Sequence, residues 1–328
     1  VSHPVLSVFP PSVLADMAVL EKRLRAQAHS RDRRLEEWTA EPLGAGGKRV
    51  RPLLLLTSFE ACGGGTKGAQ ARSDAVDAAV ALELVHTASL VHDDIMDEAA
   101  ERRGKPSTYA AHGRDGALLV GDYLFTQAFA LAATLPKQAM QMVADACRRL
   151  CEGQMAEDAL RRGAATAKLA DLRASYTAVI RDKTAALLAA GCGLGASMAG
   201  ADEAGVQAMF RYGEAIGHAF QVLDDVLDVS GPPERTGKPR GTDLLDGTVT
   251  LPLILARRSD PSLSGAVRCA EEASAFCDRI AATGALEEAR DQALAHVAEA
   301  KAVLDRVDLS ERRRNALQLV ADGVVERY

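Results

Sequence analysis

Apolar residues recur along this chain at steps of three and four, and no stretch sustains the strict alternation of a half-buried strand. The segments that carry this pattern are rich in Ala, Leu, Glu and Arg, which favour helix. The pattern therefore predicts an all-α protein. Clusters of Gly, Pro and small polar residues interrupt it at residues 44–47, 63–68, 103–107, around Pro136, and at 163–167, 191–200, 231–241 and 260–264. Roughly ten or more helices fit between these breaks. Residues 75–97 and 210–229 are apolar nearly all round, and a helix of that kind must be surrounded by others, so both are expected at the centre of a bundle. No change of composition marks a linker and no fixed period repeats. Residues 1–328 are thus expected to form one domain, with 1–11 as a flexible N-terminal segment.

Composition narrows the partners. With 328 residues, 48% of them hydrophobic, the chain can bury a sizeable interior. A formal net charge of −6 argues against nucleic acid as a partner and leaves anion binding to local basic clusters or metal ions. The six cysteines, Cys62, Cys147, Cys151, Cys192, Cys269 and Cys277, show no CxxC pairing and no zinc-spaced His, so they read as reduced core residues of a cytoplasmic protein. Residues 1–11 carry no basic stretch followed by an apolar run. No apolar stretch approaches the ~20 residues of a membrane span.

The sharpest chemical feature is Asp93-Asp94-Ile95-Met96-Asp97, repeated in form as Asp224-Asp225-Val226-Leu227-Asp228. Asp93 and Asp97 share one helix face, as do Asp224 and Asp228, and like charges at that spacing destabilise a helix by ~0.2–0.5 kcal/mol per pair. Both runs sit among apolar residues rather than on a charged surface, so they call for cations. Carboxylates suit Mg²⁺, which keeps several waters and is completed by substrate phosphate.

Cations for a diphosphate are also present. Gly46-Gly47-Lys48-Arg49-Val50-Arg51-Pro52 sets three of them beside a Gly turn at a helix start, where backbone N–H groups favour anions. Arg102 and Arg103 follow the first acidic run, and Lys183-Thr184 and Gly237-Lys238 add isolated cations in apolar or Gly-rich surroundings. His86 lies seven residues before Asp93 and returns to the same helix stripe, where it can donate to a phosphate. His92 points elsewhere and reads as structural. Gln221, one turn before Asp224, can offer a carbonyl oxygen.

Together these residues resemble the trans-type polyprenyl synthetase family from about Gly46 to Pro252. The resemblance rests on GGKRVRP at 46–52, ELVHTASLVHDDIMD at 83–97, ERRGKPS at 101–107, GDYLF at 121–125, DKT at 182–184, GHAFQVLDDVLD at 217–228 and GKPRGTDL at 237–244. It implies an isoprenoid synthase fold, a bundle of long helices around a deep cavity. It also implies a homodimer, with the two aspartate runs facing each other across the cavity mouth. By the same resemblance Asp93, Asp97 and Asp224 would hold three Mg²⁺ ions that grip an allylic diphosphate. Asp94 and Asp228 would assist, and Asp225 is counted with them among the metal-binding aspartates. Arg102, Lys183 and Lys238 would neutralise that diphosphate, while Lys48, Arg51, His86 and Arg103 would bind isopentenyl diphosphate. Thr184 and Gln221 would stand near the developing carbocation. One departure is Thr248, where many relatives carry Lys.

The implied reaction is a head-to-tail condensation giving a longer all-trans polyprenyl diphosphate. Ala88 and Ser89, one turn before Asp93, are small where fifteen- and twenty-carbon synthases usually place an aromatic, and the first run lacks the two-residue insertion of many short-chain bacterial relatives. Both point to a product longer than twenty carbons, of the quinone side-chain type. A shorter product follows if Met155 or Phe129 closes the cavity early. Two rivals are a class I terpene cyclase, which needs no second diphosphate site, and a non-catalytic partner subunit, which would lose acidic residues.

Overall fold

The chain folds as helices with short connections in a computed structural model that describes residues 9–164, 167–231 and 239–325. In order they are α1 (Pro11–Ala26), α2 (Arg33–Gly44), α3 (Val50–Ala61), α4 (Ala69–Met96), α5 (Thr108–Ala132), α6 (Lys137–Gly163) and α7 (Leu169–Val179). A π-helical stretch, Ile180–Ala185, leads into α8 (Ala186–Met198) and α9 (Glu203–Ser230). The series ends with α10 (Thr242–Leu245), α11 (Leu251–Ala256), α12 (Ala270–Ala282), α13 (Ala285–Leu304) and α14 (Glu311–Val325). The all-α expectation holds, with one addition. Strands β1 (Glu101–Arg102) and β2 (Lys105–Pro106) pair antiparallel, Glu101 opposite Pro106.

Contacts group the chain into two units. The first comprises Val1–Cys147, Leu187–Gly213 and Arg306–Leu319. Its central helix is α4, which packs on α1, α3 and α5 and buries Val76, Val80, Leu82, Leu84, Val85 and Val91. By length and composition α4 could cross a membrane, contrary to the reading that no stretch comes close, but 78% of its most apolar window is buried in this unit. Side-chain caps start two neighbours: Asp32 accepts from the Arg34 and Leu35 N–H groups, and Ser107 from that of Ala110.

Residues 191–200 overturn an expected break. Helix α8 runs straight through Gly191, Gly193 and Gly195 and ends only near Gly200, whose φ is +76°. A Cβ on Gly195 would lie 2.2 Å from the Leu55 carbonyl oxygen and 2.8 Å from the Phe59 nitrogen, so its glycine permits close backbone approach to α3 rather than a turn.

The second unit comprises Arg148–Ala186, Glu214–Asp305 and Val320–Tyr328. Helix α11 is buried along its whole length and packs on α7, α12 and α13. The cysteines are all free thiols, and Cys192 and Cys277 are core residues as expected. Cys151 and Cys269 are exposed, which corrects the expectation for those two.

Candidate active site

In the first unit, the first aspartate run occupies the C-terminal turn of α4. Asp97 is the C-cap, its N–H bonded to the Asp93 carbonyl at 2.9 Å. A helix end of this kind already carries partial negative charge, and no basic residue stands in that last turn, so two further carboxylates there favour a cation strongly. Asp93 is half-buried and Asp97 exposed. Asp94, about 100° round the helix, is only 2% exposed and takes the Arg102 guanidinium on both its oxygens, Nε at 2.8 and 3.0 Å.

Arg102 and Arg103 are delivered by the hairpin. Arg103 and Gly104 form its two-residue turn with φ of +55° and +71°, the all-positive geometry of a type I′ turn. Arg103 thereby lies against the loop before α3, hydrogen-bonding the Gly46 carbonyl. A Cβ on Gly47, where φ is +150°, would sit 2.9 Å from the Arg103 guanidinium, so any side chain there would displace it.

The same loop is pinned by Arg49, a residue that the sequence reading left without a role. It is 6% exposed, adopts φ +47°, and bonds Glu21 (2.7 Å), Glu83 (2.9 Å) and the Leu43 carbonyl (3.0 Å). Its partners lie 28 and 34 residues away in sequence, and no local signal marks them.

Arg51, His86, Arg102 and Arg103 come together around this loop. Burial, and then the charges of Arg51, Arg103, Arg102 and Arg49, hold His86 well below its ordinary value, so it is a neutral imidazole with one N–H to donate. Burial also lowers Arg51, whose neighbour Arg103 repels it against the pull of Glu83, and its buried Nε has no hydrogen-bond partner. These cations repel one another, and an anion would relieve them. Lys48 is exposed in the loop. A cavity of about 280 Å³ adjoins them, with Thr87, Leu90, Val91, Arg102 and Arg103 in its wall. Ala88 is fully buried, and Ser89, 7% exposed, donates its hydroxyl to the His86 carbonyl at 2.9 Å. His92 packs against Phe125, which stacks on Phe129.

In the second unit the π-helical stretch carries Lys183 and Thr184. Such turns are often found at functional sites. It lies so close to α6 that a Cβ on Gly153 would be 2.5 Å from the Lys183 nitrogen. Lys183 donates to Glu157 at 2.5 Å, a counter-ion that the sequence reading missed.

Thr184 donates to the Gln221 carbonyl oxygen at 2.8 Å, and the Gln221 amide donates to Asp225 at 2.9 Å. In the second run, as in the first, the middle aspartate is buried and hydrogen-bonded, here Asp225, while Asp224 is exposed and Asp228 half-buried. Burial pushes Asp225 up to about 7, while bonds from Tyr176, Gln221 and the Leu251 N–H pull it down. Asp228 receives the Asp243 N–H at 3.3 Å. Thr248, in the place of the frequent Lys, accepts from Arg161 at 2.9 Å. Lys238 lies outside the described residues.

Among the described residues no three His, Cys, Asp or Glu side chains are gathered into a ready-made metal cage. Paired hard oxygens at Asp93 and Asp97, and at Asp224 and Asp228, nevertheless fit a divalent ion whose coordination is completed by water and phosphate. A largely helical architecture, two carboxylate pairs and a cationic cluster are what the binding of a metal-complexed diphosphate would require.

Residues 32–278 match the Polyprenyl synthetase family. The short chain isoprenyl diphosphate synthase of Methanothermobacter thermautotrophicus is 39% identical over 298 residues, covering 86% of this chain and 87% of that protein. The nonaprenyl diphosphate synthase of Mycobacterium tuberculosis is 34% identical over 332 residues, covering 98% and 95%. The crystal structure of a polyprenyl synthase from Caulobacter crescentus, complexed with calcium and isoprenyl diphosphate, aligns with a TM-score of 0.85 at 33% identity, covering 95% of this chain and 94% of that one. The chain belongs to the polyprenyl synthetase family and is a prenyltransferase of isoprenoid biosynthesis with the isoprenoid synthase fold.

Proposed function

We propose that this prenyltransferase condenses an allylic prenyl diphosphate with isopentenyl diphosphate head to tail, in a Mg²⁺-dependent reaction whose product exceeds twenty carbons. The observation that carries the reading is the cluster of Arg51, His86, Arg102 and Arg103, mutually repelling cations around a neutral imidazole beside the first aspartate run. The calcium and isoprenyl diphosphate held by the Caulobacter relative support it. Asp93, Asp97, Asp224 and Asp228 would hold the divalent ions. When bound, these supply neutralising charge to the leaving diphosphate.

Arg102, Lys183 and Lys238 hold the allylic diphosphate, and Lys183 exchanges Glu157 for it. Lys48, Arg51, His86 and Arg103 hold isopentenyl diphosphate with its double bond towards the allylic carbon. The allylic C–O bond ionises, the alkene attacks, and the departing diphosphate takes the proton, while Thr184 and Gln221 face the cation and apolar walls exclude water. Residues 1–328 act as one synthetase domain in the cytoplasm, the matched stretch 32–278 running through both units. The active form is a homodimer. Leu118 and Phe129, eleven residues apart on α5, return to one stripe and are exposed together with Leu119. Sedimentation of the chain alone should give twice the monomer mass.

The deciding experiment is incubation of the chain alone with both substrates and Mg²⁺, followed by identification of the product. A chain longer than twenty carbons is expected. Ala88→Phe or Ser89→Phe should shorten it, since one helix turn rises ~5.4 Å, about the length of an isoprene unit. A fifteen- or twenty-carbon wild-type product, or unchanged product in both variants, would refute this account of length. No turnover without a second subunit would refute the homodimer.

Arg103→Ala tests the separation of the two diphosphate pockets. It should raise KM for isopentenyl diphosphate roughly tenfold or more, as losing a charged hydrogen bond of about 1.5–3 kcal/mol implies, and leave that for the allylic substrate near wild type. Equal rises in both constants would count against separate pockets.

A further inference from the structure

We propose that Asp225 and Tyr176 are positioning residues that fix which way the Gln221 side-chain amide faces, and that Asp225 is not a metal ligand. The proposal rests on the condensation reading above, which assigns Gln221 and Thr184 to the carbocation. Asp225 leaves α9 about 100° round from Asp224 and is 2% exposed. Its Oδ2 accepts the Tyr176 hydroxyl at 2.5 Å and the Leu251 N–H at 3.3 Å, and its Oδ1 accepts the Gln221 amide at 2.9 Å. Both oxygens are therefore engaged inside the unit, and Tyr176, 6% exposed, is itself buried.

The direction of each bond carries the argument. With Oδ2 of Asp225 taken by two donors and Oδ1 accepting from the Gln221 amide, Gln221 turns its NH₂ group to Asp225 and its carbonyl oxygen away. That oxygen receives the Thr184 hydroxyl at 2.8 Å. The Tyr176 proton and one Gln221 amide proton thus point to Asp225, and the Thr184 proton points to Gln221. The oxygens of Thr184 and Gln221 keep lone pairs for a neighbouring group, and these stabilise a carbocation, whereas an N–H in place of the Gln221 oxygen would repel it. With the amide reversed, the NH₂ group would stand in place of the oxygen.

Asp225→Asn and Tyr176→Phe test this. Asn can offer its own NH₂ to Gln221 and turn the amide over, while Phe removes one of the donors that hold the carboxylate. Both variants should lose about 10- to 100-fold in kcat, the range for residues that orient others in a site, with KM for each substrate unchanged. Binding of Mg²⁺ with inorganic pyrophosphate to Asp225→Asn, measured by calorimetry, should stay within about twofold of wild type. A loss of about tenfold or more there would make Asp225 a ligand, and unchanged kcat in both variants would also overturn the proposal.

A measurement on the native protein covers the case in which neither variant folds. The Gln221 carboxamide should give a dispersed, slowly exchanging ¹⁵N–H pair, and random-coil shifts with fast exchange would refute the clamp. That result is independent of turnover. If the wild type fails to condense the two substrates, the condensation reading falls while the clamp is still decided by this measurement.

Discussion

Asp93→Ala and Asp224→Ala should each lose roughly a hundred- to a thousandfold in turnover, the scale seen when one preorganised group facing developing charge is removed. Neither should unfold more easily. Asp93 sits on the negatively polarised last turn of α4, a position where a carboxylate costs about 0.3–1 kcal/mol. Asp224 repels Asp228 one turn on, a smaller strain of ~0.2–0.5 kcal/mol. Opposite signs for activity and stability are what a functional carboxylate predicts, whereas a structural one would lose both. Steady-state rates together with thermal melts make the comparison, and turnover within about tenfold of wild type in either variant would remove the metal assignment.

Gly153→Ala is expected to damage both properties. The added Cβ would lie 2.5 Å from the Lys183 nitrogen and 2.8 Å from the Asp182 carbonyl carbon, which are backbone atoms that cannot rotate aside. Helix α6 or the π-helical stretch must move, at about 1–3 kcal/mol for overpacking, and Lys183 and Thr184 move with it. The effect should appear as a lower melting temperature together with a fall in kcat. Gly44→Ala is the control, because nothing lies within 4 Å of a Cβ there. Equal behaviour of the two variants would mean that the close approach of α6 to the π turn has no consequence.

The candidate site was partly legible before any coordinates. Lys48, Arg51, His86, Arg102 and Arg103 were nameable from their spacing to the first aspartate run and from the family resemblance, and the fold gathers the arginines around His86. The role of Arg49 was not nameable, although it sits between two named residues. Its partners Glu21 and Glu83 are set by the packing of α1 and α4 against the loop. Glu157 was hidden in the same way, 26 residues from Lys183. The hairpin turn at Arg103 and Gly104 did have a signal, an Xaa-Gly pair between short polar segments, but two-residue strands are too short for any alternation to show.

What the sequence alone determined is what local spacing can encode. The three-and-four periodicity dictates helices, and the five-residue aspartate runs put their first and last carboxylates on one face. Only the tertiary structure decided that Asp94 and Asp225 turn inward, because their partners Arg102, Tyr176 and Leu251 arrive from other segments of the chain. It also decided that Gly191, Gly193 and Gly195 continue a helix. A glycine frees the backbone in any context, and whether that freedom becomes a turn or a close contact depends on what packs against it, here the backbone of α3 beside Gly195.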